Sequence, residues 1–464
     1  LAIRFGTDGW RGLIADDFTF ENVRTVTQAV ADLIHEEGRS RSPVPVGHDV
    51  RFLSRRFAEA VAGVLEGNGI PTLLPESATT TPMVSCQVVA AAAPLGVVIT
   101  ASHNPAEWNG FKIKAAFGGS APIELTGRVE ALLGRRAPRV GRAPQRRHPF
   151  LPAYVPRLHA VVDLEAIRKT PLRIVVDSMH GAGGRILEEL LRGSKARVHT
   201  IRGNPDVLFG GTPPEPRPEY LAPLRDAVIR HRAHIGIATD GDADRIGVCD
   251  ERGEMVTPLQ IFPLLALHLL EGKGWRGGIA RTFANTLVAE RIAQRHRVPF
   301  HDLPIGFKHI ARLMLEDDVL IGGEESGGIG VKRFLPERDG ILIGLMLIEM
   351  LAQRGRRLSR HIAAMQKEYG AYVYRRVDLA LPAERGRRAV GRLQSDPPAR
   401  LAGQAVERID TLDGVKLLFG DAGWILFRAS GTEPVLRVYS EASSPALLDR
   451  LMRAGVARIR SLAA

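Results

Sequence analysis

Four short polar loops, about one per quarter of the 464-residue chain, each follow an apolar, β-branched run. They are Thr100-Ala101-Ser102-His103-Asn104-Pro105, Asp240-Gly241-Asp242-Ala243-Asp244-Arg245, Gly323-Glu324-Glu325-Ser326-Gly327-Gly328 and Arg428-Ala429-Ser430-Gly431-Thr432-Glu433-Pro434. A loop so placed reads as the end of a strand. A nucleophile candidate, a metal candidate, a hydroxyl reader and an anion clamp therefore arrive separately, which points to one phosphoryl-transfer site assembled from several domains. The length agrees, since one hydrophobic core rarely organises so long a chain.

The first quarter alternates helix and strand periods. Val23, Val26, Val30, Leu33 and Ile34 recur at helical spacing; Pro43–His48 reads as a strand; Ser54 reads as the cap of a helix buried through Phe57, Ala60, Val61, Val64 and Leu65; Ile70–Leu74 is the next strand. Such alternation predicts a mostly parallel sheet with helices on both sides. Ligands then bind beyond the carboxyl ends of strands, where Leu95–Thr100 would place Ser102. Gly134–Pro149, rich in arginine and proline, reads as a linker. A second unit starts at Leu172–Asp177 and carries the aspartate loop between strands His234–Thr239 and Ile246–Asp250. A third has Gly278–Phe283 as strand, Asn285 as N-cap and Leu287–His296 as helix, and the three look like diverged copies of one α/β plan. After Tyr369, Ala371–Asp378, Gly414–Phe419, Gly423–Arg428 and Val435–Glu441 suggest a smaller antiparallel sheet, closed by a helix from Pro445.

Composition narrows the setting. With 45% apolar and 25% charged residues the chain is globular rather than disordered. The longest apolar stretch, Val88–Thr100, is broken by Pro94 and falls short of the ~20 residues a membrane helix needs. Polar Gly6–Gly12 stands where a signal peptide would need an apolar core, so a cytoplasmic protein without a membrane partner is expected. Cys86 and Cys249 are far apart and read as buried thiols. The net charge of +12 suits either nucleic acid or an anionic small substrate. The arginine runs Gly134–Arg147 and Glu384–Arg400 lack interleaved aromatics, which argues against single-strand stacking and for charged linkers or solvated faces.

Asp240, Asp242 and Asp244 alternate with small residues, so their carboxylates can converge on one hard cation, Mg²⁺ or Ca²⁺ rather than zinc. Arg245 can pair with them or hold a phosphate the metal shares. Ser102 sits on a loop that Pro105 prevents from continuing as helix, and Lys112 and Lys114 lie within reach. Together these residues allow a phosphorylated serine, a cation on its phosphate and a lysine able to move protons. Arg428 with Ser430, Gly431 and Thr432 makes a phosphate nest, and Glu324 and Ser326 can read vicinal hydroxyls.

In this order, and over essentially the whole chain, the four loops resemble those of the α-D-phosphohexomutase superfamily. The resemblance implies three similar mixed α/β domains plus a smaller C-terminal α+β domain around a central cleft. The corresponding boundaries are 1–147 with the phosphoserine loop, 148–252 with the metal loop, 253–368 with the sugar-specificity loop and 369–464 with the phosphate-binding loop. It further implies that Ser102 is phosphorylated and, with Asp240, Asp242 and Asp244, holds Mg²⁺. His103 and Lys112 match positions that assist proton transfer, Arg245 one that contacts the phosphoserine, and Arg11 one that shapes the site. Lys308 matches a substrate-contacting lysine; Glu324 and Ser326 match the hydroxyl readers; Arg428, Ser430, Gly431 and Thr432 match the phosphate clamp. The implied activity is interconversion of hexose 1-phosphate and hexose 6-phosphate through a 1,6-bisphosphate, which would also act as activator.

Gly328 stands where many phosphomannomutases and phosphoglucosamine mutases carry histidine, Glu325 where the glucosamine enzymes commonly have glutamine, and Trp10 where they usually have isoleucine. Glucose and mannose phosphates are therefore expected ahead of glucosamine phosphate. One rival is an aspartyl-phosphate phosphatase, which Ile237–Asp242 would also suit; another is a basic nucleic-acid-binding protein, for which net charge alone speaks. Hexose phosphates are the expected partners, and the pattern carries no reading of oligomeric state.

Overall fold

A computed structural model describes residues 3–6, 8–144, 146–355, 357–430 and 434–463. The chain forms two compact units, one of residues 1–277 and 307–359, the other of residues 278–306 and 360–464. Among the described residues no helix is long and apolar enough to cross a membrane.

In the first unit, helix Phe20–Glu36 starts where Thr19 accepts a hydrogen bond from the Asn22 amide, and Val23, Val26, Val30, Leu33 and Ile34 are buried as their spacing requires. The first sheet runs in the order Trp10–Leu13, Trp108–Ala115, Leu95–Ile99, Val44–His48, Thr72–Leu73. Its first two pairings are antiparallel and its last two parallel, so the sheet is mixed rather than mostly parallel. Helix Ser54–Gly67 is capped at Leu53 in the left-handed conformation, without a side-chain cap bond. Ser54 is not the cap because its hydroxyl donates instead to Asp49, at 2.7 Å. Among its described residues the arginine-rich 134–149 segment has no helix or strand, although the Gly141 amide bonds Gly63 O and the Arg139 amide bonds Gln28.

The second sheet, in the order Met255–Val256, Ile246–Asp250, Ile235–Thr239, Arg173–Asp177, Arg197–Ile201, repeats the pattern of two antiparallel and two parallel pairings. Leu95–Ile99 and Ile235–Thr239 are thus equivalent central strands, each running into a polar loop and then an antiparallel partner. Val319–Gly323 does the same, turning through the Glu324 loop into antiparallel Ile329–Val331.

In the second unit, parallel strands Gly278–Thr282 and Phe300–Leu303 flank helix Leu287–His296. Its cap is Thr286, which accepts from the Val288 amide; Asn285 uses its Oδ1 on the Thr286 amide instead. The C-terminal sheet is antiparallel in the order Val373–Ala380, Val435–Ala442, Gly423–Ala429, Val415–Leu418, Arg408–Asp410. Helices Ala383–Ser395 and Pro445–Ala463 share its apolar core through Ala389, Leu393, Leu448 and Leu451. The arginine run 384–400 is therefore largely a helix with a solvated face and a buried stripe of Gly386, Ala389 and Leu393. The Arg428 loop is again the connection of an antiparallel hairpin, Gly423–Ala429 with Val435–Ala442. All four polar loops are hairpin connections.

Candidate active site

Ser102 is 1% exposed and adopts φ +54°, a left-handed backbone that for a residue with a Cβ costs roughly 1–2 kcal/mol. Its amide donates to Thr100 Oγ1 at 2.9 Å, and its hydroxyl donates to Asp240 Oδ2 at 2.7 Å. His103 Nδ1 lies 3.2 Å from Ser102 Oγ. Burial, and then Arg245, Arg11, Lys112 and Arg51, hold the His103 imidazole well below its ordinary range, so it is neutral at neutral pH. Arg11 donates to Asn104 Oδ1 at 2.6 Å, which ties it to the same loop.

Each of the three aspartates is buried, and one oxygen from each lies within 4.8 Å of the others. Asp242 spends Oδ2 on Lys112 at 2.8 Å and Thr81 at 2.6 Å; Asp244 spends Oδ2 on Lys112 at 3.1 Å and Arg338 at 2.8 Å. Their Oδ1 atoms are buried without a partner. Asp240 receives the Arg245 amide on Oδ1 at 3.0 Å. Burial and then repulsion from Asp242 and Asp244 push the Asp240 carboxyl well above its usual range. Unpartnered buried oxygens and an all-oxygen donor set fit a hard divalent cation, which would relieve both strains.

The cations around this cluster form a chain of ion pairs. Lys112, 1% exposed, also meets Asp8 at 2.9 Å; burial works against its charge, but Asp242, Asp244 and Asp8 outweigh burial and hold its pKa above the ordinary value. Arg338 meets Asp8 at 2.5 Å and Glu324 at 3.3 Å, and so connects the aspartates to the hydroxyl-reading loop. Burial, eased by Arg338 and reinforced by Glu325, pushes Glu324 up to about 7. A Cβ on Gly328 would stand 2.5 Å from both Arg338 Cδ and Glu324 Oε2, so the missing side chain leaves room for that pair. Helix Gly340–Arg354 begins against the metal loop, with the Gly340 amide bonded to Ala243 O at 3.0 Å and Asp339 accepting the Leu342 amide as N-cap.

The first unit thus brings together Ser102, His103, Lys112, Asp240, Asp242, Asp244 and Glu324, with Arg11 joined through Asn104. Arg245 places its Nη1 3.9 Å from Glu215 and leaves its buried Nε without a partner. Lys308 and Ser326 are part-buried in the same unit. Arg428 and Ser430 belong to the second unit, where Arg428 Nε pairs with Asp413 at 2.9 Å and the Ser430 amide bonds Val435 O. Gly431 and Thr432 lie outside the described residues. Sequence reasoning missed Arg338, Thr81, Asp413 and the part played by Asp8. A usable signal was Glu337-Arg338-Asp339, a charged triplet just ahead of a long apolar helix; all three are buried.

Family models for phosphoglucomutase/phosphomannomutase match in order: alpha/beta/alpha domain I at residues 2–138, domain II at 152–253, domain III at 257–369 and the C-terminal domain at 379–457. A phosphoglucomutase/phosphomannomutase of Thermococcus kodakarensis is 33% identical over 456 residues, 97% of each chain. A phosphoglucosamine mutase of Salinispora arenicola is 31% identical over 450 residues, 96% of this chain and 95% of the relative. The crystal structure of a Thermus thermophilus protein classed as a phosphomannomutase superposes with a TM-score of 0.89 at 36% identity, over 99% of each chain. With all four domain models matched and near full-length relatives above 30% identity, this chain belongs to the phosphoglucomutase/phosphomannomutase family of the α-D-phosphohexomutase superfamily, and is a phosphotransferase mutase of the isomerase class.

Proposed function

We propose that the chain interconverts the 1-phosphate and 6-phosphate of glucose and mannose, with Ser102 as the residue that carries the phosphoryl group between them. The observation that carries this reading is the Ser102 hydroxyl, buried and hydrogen-bonded at 2.7 Å to Asp240, one of three clustered aspartates of which Asp242 and Asp244 each keep an unpartnered buried oxygen. Asp240, Asp242 and Asp244 would hold Mg²⁺ together with the Ser102 phosphate. When bound, that cation supplies neutralisation of charge on the phosphoryl oxygens.

Phosphorylated Ser102 would lose its phosphoryl group to a sugar hydroxyl: a new P–O bond forms to the sugar, the P–Oγ bond breaks, and the hydroxyl proton is taken up. His103, held neutral by burial and then by the surrounding cations, is able to accept a proton; Lys112, held charged, is suited to stabilise the leaving serine oxygen. Transfer of the sugar's other phosphoryl group back to Ser102 restores the enzyme, and hexose 1,6-bisphosphate, the species between the two transfers, would recharge it after a loss. Arg11 and Arg245 would hold phosphate near Ser102, Glu324 and Ser326 would read the sugar hydroxyls, Lys308 would contact the substrate, and Arg428, Ser430, Gly431 and Thr432 would clamp a phosphate. Sequence expectations at Gly328, Glu325 and Trp10 support glucose and mannose; the Salinispora relative supports glucosamine phosphate as the second reading.

The test is 6-phosphate formation from glucose, mannose and glucosamine 1-phosphates with Mg²⁺ and a trace of glucose 1,6-bisphosphate. Turnover of glucose and mannose phosphates ahead of glucosamine phosphate is expected. Turnover confined to glucosamine phosphate would replace the first reading with the second, and Ser102→Ala retaining hydrolysis of sugar phosphates would restore the aspartyl-phosphatase alternative.

A further inference from the structure

The loop that carries Ser102 is held by a residue on another segment. Arg51 follows strand Val44–His48, is 2% exposed, and each N–H of its guanidinium has an acceptor. Nε donates to Asp49 Oδ2 at 3.0 Å; Nη1 donates to Pro105 O at 2.6 Å and Trp108 O at 3.0 Å; Nη2 donates to Ser102 O at 2.7 Å and Asn104 O at 2.6 Å. One planar cation therefore clamps carbonyls on both sides of the loop, including that of Ser102. Asp49 completes the clamp, because it also accepts the Thr100 hydroxyl at 2.6 Å, and Thr100 Oγ1 accepts the Ser102 amide.

The face of the guanidinium is also occupied. The Phe209 ring lies 4.9 Å from Arg51 Cζ and is 1% exposed, although its flanking Leu208 is 62% exposed. Phe209 has φ +53°, and Asp206 secures its turn by accepting the Leu208 and Gly210 amides. A strained turn that buries one ring against one arginine has a use if the arginine must not move.

We infer that Arg51 is the positioning residue that fixes the left-handed backbone of Ser102, and that Phe209 is the stop that holds Arg51 in place. The inference rests on Ser102 being the phosphoryl carrier. Arg51 touches no reacting atom; it acts through the carbonyls it holds. A lysine has three donors on one point and cannot span the same four carbonyls and a carboxylate.

The experiment compares the full-length wild type, Arg51→Lys and Phe209→Leu, each with Mg²⁺. It measures phosphoryl uptake on Ser102 from glucose 1,6-bisphosphate by intact mass, kcat and KM for glucose 1-phosphate, and Tm. Misplacing a reacting group by about 1 Å can cost ~100-fold in rate, so Arg51→Lys should lower uptake and kcat by about 100-fold with KM within about threefold. Phe209→Leu keeps every Arg51 hydrogen bond and loses only the ring face, so kcat should fall about three- to tenfold, again without a matching change in KM. If Arg51→Lys does not fold, Phe209→Leu decides alone. Variants that load Ser102 and turn over within about twofold of wild type would overturn the inference, as would losses that follow only the folded fraction. A wild type that takes no phosphoryl group on Ser102 would instead overturn the functional reading, and this inference with it.

Discussion

The Lys112 ammonium meets Asp242, Asp8 and Asp244 at 2.8, 2.9 and 3.1 Å, all of them buried or nearly so. Removing one partner of a buried ion pair leaves uncompensated charge, typically ~3–5 kcal/mol. Lys112→Met should therefore lower Tm most in chelator. Because a divalent cation on the aspartates would replace part of the lost charge, Mg²⁺ should raise the Tm of the variant more than that of wild type. Equal Mg²⁺ shifts would show that Lys112 and the cation do not share those carboxylates. At this scale the sequence was legible wherever chemistry was local: an aspartate at every second position needs little context to suggest a metal. Arg338 was hidden because its partners Asp8, Asp244 and Glu324 are brought together only by folding. Arg428 was recognisable as a cation on a hairpin, but its pairing with Asp413 depends on the preceding turn.

The repeated element is a hairpin whose connection carries the chemistry, and close approach between connections is set by glycine. A Cβ on Gly241 would lie 2.4 Å from Ser102 O, a separation that real Cβ atoms do not show, so the metal loop fits against the serine loop only without a side chain. Gly241→Ala should push the two loops apart, lower kcat by about 100-fold, and leave most of the stability intact. Kinetics beside a melting curve would check this, and unchanged kcat would refute the contact. Periodicity was a good guide to the elements themselves: helix Leu287–His296 and the central strands fall where the pattern put them. Caps and strand direction were less legible. Ser54 and Asn285 have the right chemistry for caps, but Asp49 and the Thr286 amide compete for them, and an antiparallel partner such as Trp108–Ala115 has the same period as a parallel one.

Within the second unit, Lys416 is 1% exposed, donates to Phe283 O at 2.7 Å and holds its ammonium 4.2 Å from the Trp424 ring. Burial, reinforced by Arg281, pushes its pKa down to about 7. The unfolded chain keeps that proton to pH ~10.4, so folding bears a full penalty below about pH 7 that is relieved as pH rises from about 7 toward 10. Stability should therefore gain up to ~1.4 kcal/mol per pH unit from this group over that interval. Lys416→Met should flatten the rise of Tm relative to wild type between pH 7 and ~10; parallel curves would contradict the assignment. At the scale of the whole chain, the order of four domain types was readable because each carries its own loop, and the family models match in that order. Helix Ala383–Ser395 was not, since its sequence is rich in arginine and only Gly386, Ala389 and Leu393 of it are fully buried.

The central claim is that Ser102 carries the phosphoryl group, and intact-mass measurement tests it most directly. Wild type and Ser102→Ala would be incubated with Mg²⁺ and glucose 1,6-bisphosphate, then digested to locate any modification. The account predicts the mass of one added phosphoryl group on wild type, located at Ser102, discharged by glucose 6-phosphate and absent from Ser102→Ala. A phosphoryl group on Asp240 in both proteins, or turnover that survives in Ser102→Ala, would contradict it.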